Sequence, residues 1–115
     1  RRHADIMRPK FEMLEQLFTE ELKARGIGDW LSPKGGYFIS FEALPGCART
    51  IVEKCREAGV VLTGAGAPFP YKKDPEDKVL RIAPTYPSRD ELKTAATVFV
   101  TVVRMVSAQK LIEER

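Results

Sequence analysis

"KVLRIAPTYPSRDELK", residues 78–93, decides the fold, because a short apolar strand, a proline break and a helix start follow one another within it. The run "VLRIAPT" reads as a strand. Pro84 and Pro87 end it, since proline cannot donate to a sheet ladder. Ser88 and Glu91 then match the Ser-x-x-Glu capping box, in which hydroxyl and carboxylate satisfy N–H groups that a helix start leaves unpaired. A helix is predicted from there nearly to the C-terminus, with Leu92, Ala95, Ala96, Phe99, Val102, Val103 and Val106 on its apolar face. Valines at 98 and 100 widen that face beyond one stripe, so this helix either lies deep or touches something outside the chain. Arg81 interrupts the strand. Its guanidinium stays charged, so it must reach water or meet a carboxylate, and an alternating strand permits either. A ligand carboxylate on its planar fork would form two charge-assisted hydrogen bonds, each worth about 1.5–3 kcal/mol.

Upstream, Met7, Phe11, Leu14, Leu17, Phe18 and Leu22 recur at three- and four-residue spacing and predict an amphipathic helix over 3–25, with Pro9 in its first turn and Gly26 and Gly28 as its stop. "WLSPKGGYFISFEALPG" gives a turn at 32–36 and a strand at 37–41 whose buried face the alternation leaves open. "CARTIVEKCREAG" predicts a helix of about three turns, with Ile51, Val52, Cys55 and Ala58 on one side and Gly59 closing it. A strand "VVLTG" and a proline-rich loop "AGAPFPYKKDPEDK" lead back to residue 78. The order α-β-α-β-β-α predicts an α+β fold: a small, largely antiparallel sheet of about three strands with helices packed on one face.

The 115 residues suit one domain, and 43% apolar with 30% charged residues is ordinary globular composition. A net charge of +3 from scattered residues is too mild to argue for nucleic acid or a membrane. No apolar stretch reaches the roughly 18 residues of a membrane span. "RRHADIMRPK" lacks the apolar segment of a signal peptide, so a cytoplasmic location is expected. The chain starts at Arg1-Arg2 with no initiator Met, and is expected to be a piece of something longer.

Other candidate chemistry is weak. "TGAGAP" offers glycines after a strand, but Pro68 and Pro70 block a helix start, so neither a phosphate loop nor a dinucleotide fingerprint is present. Cys47 and Cys55 lie about 12 Å apart along a helix axis, too far for a disulfide, and read as buried thiols rather than nucleophiles. His3 alone makes no metal set. Tyr37, Phe38, Phe41, Phe69 and Tyr71 lack the basic surface of a base-stacking platform and read as packing residues.

Three stretches, "WLSPKGGYFISF", "GVVLTGAGAPFPY" and "LRIAPTYPSRDEL", in this order and spacing, resemble the C-terminal small domain of fold-type I pyridoxal-phosphate-dependent aminotransferases, in particular a bacterial aspartate-aminotransferase-like branch. The elements that carry the likeness are Pro33, Gly35, Gly36, Tyr37 and Phe38, then Gly66 with Phe69, then Arg81. The resemblance implies that Arg81 grips the α-carboxylate of an amino-acid or 2-oxo-acid substrate. It implies too that Gly35 and Gly36 let the backbone pass close to that substrate. Pyridoxal 5'-phosphate would be held by a large domain that these residues do not include, the lysines here sitting on charged helix faces or in polar loops. A homodimer is implied through that domain. The 115 residues alone are expected to be inactive. The competing expectation is a stand-alone α+β domain, either sensing a small carboxylate through Arg81 or purely structural, with Arg81 in an internal salt bridge.

Overall fold

The computed structural model describes residues 2–31, 39–60, 62, 76–82 and 88–114. Among the described residues there are three α-helices and a three-stranded antiparallel sheet: α1 (Arg2–Glu21), β1 (Asp29–Leu31), β2 (Ile39–Glu42), α2 (Ala48–Glu57), β3 (Val79–Ile82) and α3 (Arg89–Glu113). The sheet order is β1-β2-β3. Opposite pairs run Asp29 to Glu42, Trp30 to Phe41 and Leu31 to Ser40 across the first ladder, and Ile39 to Ile82, Ser40 to Arg81, Phe41 to Leu80 and Glu42 to Val79 across the second.

Side chains alternate across a strand, so this register sorts the sheet into two faces. Ile39, Phe41, Leu80 and Ile82 are buried on the helix side. There Phe41 meets Phe99 of α3 edge-on at 5.1 Å between centroids and Phe18 of α1 at 5.7 Å. Trp30 reaches the same Phe18 at 5.5 Å. Edge-to-face rings place the positive rim of one on the negative face of the next. The cluster is closed around Gly28: a Cβ there would stand 2.6 Å from the Phe41 ring, so only glycine fits. Ser40, Arg81 and Val79 sit half-buried on the other face, with Leu31, Asp29 and Glu42 exposed beside them.

Buried Leu14, Phe18 and Leu22 confirm the predicted stripe of α1, and Arg104 of α3 donates to Glu21 at 3.1 Å across the two helices. Pro9 departs from expectation. The helix starts at Arg2, so the proline lies inside it rather than in its first turn, at the cost of one i→i−4 hydrogen bond. The helix proper ends at Glu21; a short 3-10 turn over Lys23–Arg25 and a left-handed Gly26 (φ 71°) complete the stop.

α2 buries Ala48, Ile51, Val52 and Cys55, whereas Ala58 is exposed. Gly59 (φ 91°) closes it, and the Val60 N–H returns to the Cys55 carbonyl at 2.7 Å. The capping box of α3 is present: the Glu91 N–H donates to Ser88 Oγ at 3.1 Å, and that hydroxyl donates to the Glu91 carboxylate at 3.3 Å. α3 is both deep and open. Val100, Val102 and Val103 are buried, while Met105, Leu111 and Ile112 near its end are exposed.

β1 is a strand that the sequence did not announce. Trp30 and its neighbours pair with β2, a pairing that a three-residue strand gives too little alternation to announce. Of the segment expected as the strand "VVLTG", the described Val60 and Leu62 are outside any strand. Its remaining residues, and the loop "AGAPFPYKKDPEDK" through Pro75, lie outside the described set.

Candidate functional site

Arg81 stands in the middle of β3, and the register fixes where it points. Leu80 and Ile82 on either side are buried against the helices, so Arg81 belongs to the opposite face of the sheet. Its side chain is half-buried and its Nε is shielded from solvent. One row of this face runs Leu31, Ser40, Arg81 across the three strands; the next runs Asp29, Glu42, Val79. A cation, a hydroxyl and an apolar side chain that is 74% exposed thus line up across the sheet on the face opposite the described helices.

The segment before β3 is held by α2. Cys47 at the N-cap of α2 supplies no side-chain acceptor. Asp77 supplies two from elsewhere: its carbonyl accepts from Ala48 N at 2.9 Å and its Oδ1 from Arg49 N at 3.1 Å. To do so it adopts φ 49°, a left-handed conformation that aspartate tolerates better than most residues. A carboxylate there also suits the positive end of the helix dipole. Lys78 follows, with its carbonyl accepting from Ala43 N at 2.7 Å and its ammonium 3.3 Å from both Glu42 and Glu76. Hydrogen bonds to these two carboxylates raise its pKa. Glu42, which shares Arg81's face with Asp29, is therefore engaged by Lys78.

The cysteines supply no nucleophile. Both are buried free thiols; burial pushes Cys55 up to about 11 and also raises Cys47, against an opposing pull from Lys110. At neutral pH both are protonated. Gly35 and Gly36, expected beside Arg81, lie outside the described residues, as do Pro33, Tyr37, Phe38, Gly66 and Phe69. The structure therefore places one expected site residue, Arg81, and adds Ser40 directly opposite it. Reading the sequence alone missed Ser40 because Tyr37 and Phe38 precede it, so both faces of the strand looked apolar.

The family profile described as aspartate amino-transferase matches residues 1–115. This chain belongs to that family. An aspartate aminotransferase of Corynebacterium glutamicum is 40% identical over 95% of the chain, which covers 25% of that relative. The crystal structure of an aspartate transaminase from the same organism superposes with a TM-score of 0.89 at 40% identity, over 96% of this chain and 26% of that one. An α-aminoadipate aminotransferase from Thermus thermophilus shares the fold, with a TM-score of 0.77 at 19% identity, over 94% and 27% of the two chains. The chain thus spans about a quarter of the length of the relatives it matches.

Aminotransferase relatives imply pyridoxal phosphate in a full-length enzyme, and the described residues do not fit a site for it. A lysine that condenses with a carbonyl needs a desolvated, lowered pKa. Here none of the described lysines is buried: Lys78 and Lys110 are in ion pairs, and Lys23 lies over the Trp30 ring at 5.7 Å.

Proposed function

We propose that this chain is the C-terminal, substrate-carboxylate-binding small domain of a pyridoxal-phosphate-dependent amino-acid aminotransferase of the aspartate type. Its Arg81 binds the α-carboxylate of the amino acid and of the 2-oxo acid. The observation that carries the reading is the position of Arg81: mid-strand, half-buried, on the face of the sheet opposite the described helices. Family membership supports an amino-acid substrate, and the 40% identity to an aspartate aminotransferase supports the aspartate type.

The physics of such an anchor is positional. A guanidinium offers a planar fork that matches a carboxylate in two parallel hydrogen bonds, so it fixes the direction of the substrate as well as its place. Holding the substrate at one end limits the orientations of the bond to be broken, and closure of the small domain over it excludes water. Gly35 and Gly36 belong to the same proposal, as backbone without Cβ atoms beside the carboxylate.

The test is Arg81→Ala in the full-length enzyme. Expected is a sharply raised KM for the amino acid, with kcat/KM lowered by about 3–5 kcal/mol, the scale for removing one partner of a buried ion pair. Kinetics close to wild type would exclude the role.

A further inference from the structure

We infer that the outer face of α3 is a docking surface for a helix contributed by a part of the same polypeptide outside these 115 residues. Thr94, Thr97, Thr101, Met105, Ala108 and Ile112 recur at three- and four-residue spacing and so share one side of the helix. All of them are exposed and none is charged. A solvated face in the same molecule looks different: α2 exposes Arg49, Glu53, Lys54, Arg56 and Glu57.

Two further features suit the α3 face to burial. The threonine hydroxyls donate to carbonyls one turn earlier, Thr94 to Asp90 at 3.0 Å, Thr97 to Lys93 at 2.8 Å and Thr101 to Thr97 at 2.8 Å, so covering them leaves no hydroxyl donor unpaired. Met105, 56% exposed, stands where the stripe meets an open cleft of about 370 Å³ between α3 and α2, which it lines with Thr50, Lys54 and Gln109. Threonine and alanine let a second helix approach near the short end of the usual range of about 8–10 Å between axes, while Met105 and Ile112 supply apolar area.

The size of the stripe selects the occupant. From Thr94 to Ile112 it runs about 27 Å at about 1.5 Å per residue and is about 10 Å wide, roughly 300 Å². Association of separate molecules costs translational and rotational freedom, and stable interfaces bury about 800 Å² on each partner. This stripe alone is therefore too small to hold a second copy. A segment tethered to the domain acts at a high effective concentration and is held by a smaller contact. The relatives have room for such a segment, since this chain covers 27% and 25% of their lengths. The inference makes no use of Arg81 and stands apart from the carboxylate reading.

The experiment uses the full-length enzyme carrying Thr101→Cys or Ala108→Cys, with Thr19→Cys on the exposed side of α1 as control, labelled with a maleimide and quantified by peptide mapping. Cys47 and Cys55 are buried and give little background. Expected are native labelling rates at positions 101 and 108 about tenfold or more below that at 19, with all three equal in urea. Equal native rates overturn the inference. Cysteine is close in size to threonine and alanine, so this arm does not depend on the fold tolerating a bulky group. A photo-reactive benzoylphenylalanine at position 97 then identifies the occupant. Expected is a monomer-sized product, unchanged on dilution, that joins position 97 to a peptide outside the 115 residues. A dimer-sized product assigns the face to a second copy and a link to a residue within 1–115 assigns it to this chain; either result, or no cross-link, overturns the inference.

Discussion

Asp77 joins two parts of the chain that sequence separates by 28 residues, since its side chain accepts from the backbone of Arg49. It caps a helix that has no cap of its own, and it lies four residues before Arg81, so the same contacts hold the entry to β3. Replacing Asp77 by Ala removes the carboxylate acceptor and puts a less tolerant residue at positive φ. A loss of about 1–2 kcal/mol of stability is expected, at the scale of an N-cap substitution, with Asp77→Asn costing less because it keeps an acceptor and accepts the conformation. Urea unfolding of the three proteins checks the order; equal midpoints for wild type and Ala would show that the cap contributes nothing. This contact was not legible in the sequence. Local caps such as Ser88 with Glu91 are written three residues apart, whereas Asp77 is placed by tertiary structure.

At the scale of elements, the three helices were legible because each carries an apolar repeat and at least one terminal signal, and what escaped was short. β1 has three residues, too few for alternation to separate from chance, and β2 was readable as a strand but not as to its buried face. The position of Arg81 on a strand was therefore foreseeable; the face it occupies and its partner Ser40 needed the register. α3 holds one local conflict that the pattern did not flag. Ser107 is fully buried on a face otherwise apolar, and its hydroxyl has no hydrogen-bond partner among the described residues. An unsatisfied buried polar atom costs about 1–3 kcal/mol, so Ser107→Ala is expected to raise stability by an amount near the lower end of that range. Thermal unfolding reads the change, and a lowered melting temperature would show that the hydroxyl is satisfied in solution.

At the scale of the whole molecule, the sheet has one face filled by aromatic packing and one face that carries its polar chemistry, and the basic residues divide accordingly. Among the described residues Arg81 is the cation on a strand; the described lysines lie in helices, in the 3-10 turn or just ahead of β3, none of them buried. Lys78, the lysine nearest Arg81 in sequence, has a pKa raised by its hydrogen bonds to Glu42 and Glu76, which favours the protonated amine and opposes nucleophilic attack on a carbonyl. Among the described residues no amine is prepared for covalent chemistry. The 115-residue chain by itself is accordingly expected to show no transaminase activity. Mixed with pyridoxal phosphate, it should give only weak, unsaturable labelling spread over exposed lysines after borohydride reduction. Peptide mapping by mass spectrometry makes the measurement. A single lysine modified to one equivalent, saturating with cofactor concentration, would move the cofactor site into this chain and reduce Arg81 from the domain's main contribution to one part of a complete centre.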